Sequence, residues 1–158
     1  MVIISKYKLE SKKDKAIFKV RSYEERRCPI CGGSLSVIGS RLRHLITESG
    51  DPIVLSIRKL SCDKCGKIHS ELPDAIFPYH RLCSLTIKSI VAGDKDNAVC
   101  DEASYRRIRL WWAIFSKRSG ALSIEDTYEK INDGVITYAD FRKFFVLYND
   151  TINDLKGG

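Results

Sequence analysis

Apolar and polar positions alternate through the first half of the chain and change to a three-to-four-residue period in the second. In Ile53-Val-Leu-Ser-Ile-Arg-Lys-Leu60 the side chains of Ile53, Leu55 and Ile57 fall on one face of an extended segment. Ser36–Thr47 and Pro52–Ser61 both read as strands, and Glu48-Ser-Gly-Asp-Pro52 is a dense turn signal between them. The pair is therefore predicted to form a hairpin. On its first strand Arg41 and Arg43 share a face, opposite Leu42, His44 and Ile46. Residues 1–27 hold two further strand-like pieces, Val2–Ile4 and Ala16–Tyr23, together with Lys12, Lys13 and Lys15. They suit an added strand or a basic arm.

From His80 onward the period lengthens. His80–Val91 reads as a helix with Leu82, Leu85, Ile87, Ile90 and Val91 apolar, ended by Gly93. A second helix opens near Asp101, an acceptable N-cap, and runs to about Lys117 with Gly120 as its stop. Ile108, Trp111, Trp112 and Phe115 stand at i, i+3, i+4 and i+7 on its inner face; Arg106, Arg109 and Lys117 point away, with Arg107 on the flank. Two such helices suggest a helix-turn-helix, whose second helix offers its N-terminal half, here Arg106 and Arg107, to base edges. The alternative is a core helix with solvated arginines, and the long link from Val91 to Asp101 favours that side. Ser123-Ile-Glu-Asp126 and Thr137-Tyr-Ala-Asp140 each open a further helix, with Asn132-Asp-Gly134 turning between them. Phe141, Phe144, Phe145 and Tyr148 form an aromatic face for packing, and Lys156-Gly-Gly reads as a frayed end. The predicted class is α+β: a small β-hairpin domain with an N-terminal extension (1–75), helix-turn-helix-like helices (76–120) and a C-terminal helical pair (121–158).

Cysteine spacing adds chemistry to this outline. Cys28-Pro-Ile-Cys31-Gly and Cys62-Asp-Lys-Cys65-Gly are two Cys-x-x-Cys pairs, one at each base of the predicted hairpin. Two intervening residues let both thiolates of a pair turn toward one point, and two such turns complete a tetrahedron about a single ion. Glycine after the second cysteine permits positive φ and close approach of backbone to sulfur. One structural Zn2+ held by Cys28, Cys31, Cys62 and Cys65 is expected, which makes the hairpin domain of residues 1–75 a zinc ribbon. Four thiolates also hold iron in rubredoxins, but the loop between these pairs has four basic residues and no aromatic one, so zinc is favoured. His69 is expected to form hydrogen bonds or lie at the surface, Cys83 to be a buried thiol and Cys100 a turn residue. Asn132–Asp140 fails as a calcium loop, because aligning Gly134 with the required glycine puts Ile131 at a ligand position.

The chain has 158 residues and a net charge of +7, distributed unevenly. Residues 1–93 carry eight more basic than acidic side chains, and 121–158 three more acidic than basic. A basic surface of this size fits a polyanion. No apolar run is long enough to span a membrane and no secretory signal opens the chain, which places it in the reducing cytoplasm, where cysteines bind metal and not one another.

Cys28-Pro-Ile-Cys-Gly-Gly33, Gly39-Ser-Arg-Leu-Arg43, Leu55–His69, Glu71-Leu-Pro-Asp74 and Pro78-Tyr79 resemble an uncharacterised zinc-ribbon family of Firmicutes. That family is similar in turn to the N-terminal zinc ribbon plus helix-turn-helix of insertion-sequence transposases. Ala103–Trp112 resembles the Ser-Thr-x-x-Arg-Trp recognition helix found there, with Tyr105 in place of the threonine. The resemblance covers residues 28–115. It implies DNA recognition in the setting of mobile elements, by ribbon and helices together. The catalytic domain of such transposases is not expected after residue 115, so a reading head or a regulator is implied.

The expected function is therefore zinc-dependent binding of double-stranded DNA. Arg41, Arg43, Arg58 and Lys59 of the hairpin would hold phosphates while Arg106, Arg107 and Arg109 approach the major groove. The alternative is an adaptor that docks its aromatic C-terminal helices on a protein partner. An enzyme is not expected: four thiolates leave a zinc ion no position for water, and no nucleophile–base pair stands out.

Overall fold

Three short strands open the chain: β1 (Val2–Ile4), β2 (Tyr7–Ser11) and β3 (Ile17–Ser22). A long hairpin follows, β4 (Leu35–Ile46) and β5 (Pro52–Cys62), and then β6 (Ile68–Pro73). Helices α1 (Ser84–Val91), α2 (Glu102–Ser119) and α3 (Ile124–Asn132) complete the regular part, with α4 seen over residues 138–144. This computed structural model describes residues 1–11 and 16–144, with Asn153 and Gly157. Lys12, Lys13, Lys15, Phe145, Tyr148 and Lys156, singled out above, lie outside the described residues.

Strand β5 is the axis of a curled sheet. Antiparallel β4 runs along one edge, from Leu35 opposite Cys62 to Ile46 opposite Pro52. The other edge is divided: β3 pairs parallel with Val54–Ser56, and β6 pairs antiparallel with Lys59–Ser61. β2 then closes on β3 and β1 on β6. Buried positions change parity along β5, from Leu55 and Ile57 to Leu60 and Cys62. Opposite this change, β4 carries a register shift between Val37 and Gly39. The first half of β5 thus faces the helical core, and its last residues face the cysteine cluster.

On β4 the inner face is the one bearing Arg43 and Leu45; Leu42 and His44 are exposed. Neither β2 nor β6 is among the strands predicted from the sequence. β2 has little apolar signal, since its residues are exposed or half-buried. β6 places His69 and Glu71 at buried positions, where an apolar-pattern reading expects neither.

Helix α1 begins at Ser84, not at His80. Tyr79 takes φ 65°, outside the helical region, and the next residues form bridges instead. Cys83 N–H donates to the Ile46 carbonyl at 3.0 Å and Ile46 N–H to that of Arg81 at 2.8 Å, tying the segment to β4. Helix α2 has the expected ends: the Asp101 carboxylate accepts from Ser104 N–H at 2.7 Å, and Gly120 at φ 74° closes it. Ser123 caps α3, and Asp140 accepts from both Thr137 N–H and its hydroxyl. The link between α1 and α2 runs from Ala92 to Asp101, longer than the three-to-four-residue turn of a helix-turn-helix.

One hydrophobic core joins all these layers. Ile4, Leu55 and Ile57 of the sheet meet Ile87, Ile90, Ile108, Trp111, Phe115, Ile131 and Phe141 of the helices. At its centre Phe77 is 0% exposed, with the rings of Trp111, Tyr128, Phe141 and Phe115 at centroid distances of 5.6, 5.9, 6.2 and 6.4 Å. Asn132 fastens the far edge: its Oδ1 accepts from Ile3 N–H at 2.7 Å and its Nδ2 donates to the Ile3 carbonyl at 3.0 Å.

Candidate metal centre and the basic face beside it

The two Cys-x-x-Cys segments fold as matching turns. Gly32 N–H donates to the Cys28 carbonyl at 2.8 Å and Gly66 N–H to that of Cys62 at 3.0 Å, with both glycines at positive φ, 72° and 71°. Gly33 lies so close that a Cβ there would stand 2.9 Å from Cys62 Sγ and 3.3 Å from Cys31 Sγ. The backbone is thus pressed against the sulfurs, as spacing and glycine placement predict.

All four sulfur atoms lie within 4.8 Å of one another. Cys28 and Cys65 are separated by 3.7 Å, Cys31 and Cys62 by 3.4 Å. Four thiolates around an ion at about 2.3 Å define a tetrahedron with edges of about 3.8 Å. The cluster therefore fits a metal ion. Cys65 N–H points at Cys62 Sγ from 3.4 Å, and together with the Lys64 amide it holds the Cys62 thiol down to about 6.

His69 is buried and lies outside the sulfur set. Its Nε2 is 3.4 Å from Cys28 Sγ, and its Nδ1 is 3.0 Å from the Met1 amino group. With the amino group as donor, Nδ1 accepts and the Nε2 proton is directed to sulfur; burial lowers the pKa of that amino group. Burial, and then the charge of the amino group, pushes the imidazole down to about 4, which keeps it neutral.

The seven basic residues proposed as DNA contacts separate into two groups. Arg58 is bound to Glu71 by two bonds, Nε to Oε1 at 2.8 Å and Nη2 to Oε2 at 2.7 Å; the carboxylate side chain is 3% exposed. Arg58→Ala would leave that carboxylate buried and unpaired, so a stability loss of about 2–4 kcal/mol is expected in urea denaturation. Arg106 pairs with Glu102 at 3.0 Å, and Arg109 donates to the Ile90 carbonyl at 3.1 Å beside the Tyr105 ring. These three are engaged within the protein. Lys59, Arg41, Arg43 and Arg107, like Arg109, have no carboxylate partner among the described residues, although Arg43 donates to the His80 carbonyl at 3.3 Å and Arg107 to the Ser104 hydroxyl at 3.2 Å.

Three of these four gather around Tyr79. One cavity, of about 390 Å3, is lined by Arg41, Arg43, Ser70, Tyr79 and Tyr138 among others. A second, of about 330 Å3, shares Tyr79 and adds Arg81, Ser104, Arg107 and Trp111. The strand β4 and the first turns of α2 thus contribute to one basic face. Arg81, likewise free of carboxylate partners among the described residues, carries no site signal in the sequence, and Tyr79 stands out there only as part of the Pro78-Tyr79 resemblance. No periodicity marks either residue as a contact; β6 has already ended at Pro73, and Tyr79 stands in a turn.

With this geometry in place, comparison with known proteins gives one match. The family described as a domain of unknown function, DUF6431, matches residues 28–109, from the first cysteine to the middle of α2. No curated protein and no solved structure matches. Among the described residues no helix is long and apolar enough to cross a membrane.

Proposed function

The chain belongs to the DUF6431 family, and on that footing we propose that it is a zinc-dependent protein that binds double-stranded DNA without catalysing a reaction on it. The observation that carries this reading is the set of four arginines, Arg41, Arg43, Arg81 and Arg107, placed around Tyr79 without carboxylate partners among the described residues. Carboxylate-free arginines on a chain of net charge +7 suit a row of phosphates. Zinc is the metal that four thiolates in a small tetrahedral structural site suit best. Cys28, Cys31, Cys62 and Cys65 would hold it, fixing the base of the β4–β5 hairpin and with it the strand that carries Arg41 and Arg43. All four positions being sulfur, the site supplies structure and not an activated water. The resemblance to transposase reading heads supports a setting among mobile elements.

The test is selection of genomic fragments with the zinc-loaded protein, followed by fluorescence anisotropy at several salt concentrations. Affinity is expected to fall steeply with salt. Arg41→Gln and Arg107→Gln should each weaken all duplexes alike and reduce the slope by about one phosphate contact. Binding that is insensitive to salt, or no binding to any duplex, would overturn the reading.

A second reading is a protein adaptor, favoured by exposed Val37, Ile38 and Leu42 on β4, which among the described residues pairs with β5 and, at its Ile46 end, with Leu82. A stable protein complex that survives Arg41→Gln and is lost in Leu42→Asp, with no duplex binding, would decide for it.

A further inference from the structure

The larger of the two cavities carries features that contact with the outside of a duplex does not call for. Among the described residues its lining contains no acidic side chain, while Arg41 and Arg43 bring two positive charges to one wall. Arg43 is half-buried; its Nη2 donates to the His80 carbonyl at 3.3 Å, and its Nε is buried with no partner. Such a donor is costly to leave unsatisfied, and an anion is the partner that would also relieve the repulsion between the two guanidinium groups. That repulsion adds to burial in lowering the Arg43 pKa.

On another wall the rings of Tyr79 and Tyr138 lie 5.7 Å apart, tilted at 51°, and both are exposed. Tyr79 holds φ 65°, a conformation that a bulky residue adopts only when its surroundings fix it. Burial and the Tyr138 hydroxyl raise the Tyr79 pKa, so its phenol stays protonated and able to donate. Leu72, Ile68 and Pro78 supply an apolar floor. At about 390 Å3 the space exceeds what a bare phosphate fills and falls in the range of small-molecule sites.

We propose that this cavity binds a phosphorylated ligand of nucleotide size, with its phosphate on Arg41 and Arg43 and its ring against Tyr79 and Tyr138. The ligand is either a free nucleotide or one unpaired nucleotide of a strand. In the second case the proposal rests on the DNA reading and deepens it, since an unpaired base stacked on aromatic rings is recognition that a paired base cannot offer.

The experiment uses the zinc-loaded full chain, titrated with deoxyadenosine monophosphate, deoxyadenosine, inorganic phosphate and a labelled single-stranded oligonucleotide. Binding is followed by calorimetry and by amide chemical shifts of residues lining the cavity. The monophosphate is expected to bind about tenfold or more tightly than either the nucleoside or phosphate alone, because it makes both contacts. Arg41→Gln and Tyr138→Ala, at exposed positions, should each weaken it about tenfold with an unchanged melting temperature. Tighter binding of the oligonucleotide than of the monophosphate, with the same losses, assigns the site to a strand; equal or weaker binding assigns it to the free nucleotide. Failure of both to bind, or affinities that neither substitution alters, overturns the proposal. Duplex binding that persists after such a failure leaves the DNA reading standing, and nucleotide binding without duplex binding upholds the cavity while removing that reading.

Discussion

Stripping a metal ion from the four-cysteine cluster with a chelator is expected to loosen the base of the hairpin while the helical core stays folded. The two ends of β5 have different support. Leu55 and Ile57 lie at 1% and 0% exposure within the hydrophobic core, whereas Cys62 ends the strand at the cluster. Cys28, Cys31 and Cys65 come from turns held by a few backbone bonds. Ion binding stabilises the folded state by mass action, about 4 kcal/mol when the free ion is a thousandfold above its dissociation constant. For a chain of this length that corresponds to a melting temperature lower by about 10 °C on chelation. Hydrogen exchange should localise the change: the amides of Cys28, Gly32, Cys62 and Gly66 lose protection, and those of Leu55 and Ile57 keep theirs. Acidification should act in the same direction, because protons compete with the ion for thiolate. Uniform loss of protection throughout the chain would refute the division of β5 into two supports.

Phe77→Ala should be the most damaging single substitution in the core. Its side chain is fully enclosed and meets aromatic rings from α2, α3 and α4. Truncation removes the ring and leaves a void where α2, α3 and α4 converge, although Phe115 still stacks on Phe141 at 5.1 Å between α2 and α4. A loss of about 3–5 kcal/mol is expected, read by urea denaturation. Phe77→Leu fills part of the space and should cost about 1–2 kcal/mol. Near-ultraviolet dichroism from Trp111, whose ring stands 5.6 Å from that of Phe77, should change in the alanine variant even where it remains folded. A loss below about 1 kcal/mol would show that the Phe77 ring does not hold the aromatic cluster together.

What could be read from the sequence was local. The cysteine pairs, the hairpin between them, the Asp101 and Ser123 caps and the Trp111–Phe115 face of α2 each depend on residues within a few positions of one another. What could not be read was set by partners distant in the chain. β3 lies parallel to β5 and β1 parallel to β6, and neither pairing leaves a turn signature. The sequence presents Arg58 as a phosphate contact, because it does not show that Glu71 lies opposite it on β6. The apolar period of α1 runs back through Leu82 and so predicts a start at His80, but Leu82 forms a bridge to Ile46 and the helix begins at Ser84. The charge excess was visible from the start; which arginines remain without a carboxylate was not. That depended on how β4 and α2 are brought together around Tyr79.

The Asn132 clamp on Ile3 has a consequence for biosynthesis. The residues it joins are 129 positions apart, so β1 cannot be fastened until α3 has left the ribosome. Until then the nascent chain carries Val2, Ile3 and Ile4, apolar side chains that are buried in the finished protein, without the bond that secures them. Translation pauses between β6 and α3 would therefore prolong exposure of a sticky strand and an unguarded sheet edge. Chaperone demand during synthesis should follow the time taken to reach residue 132 more closely than the stability of the completed fold.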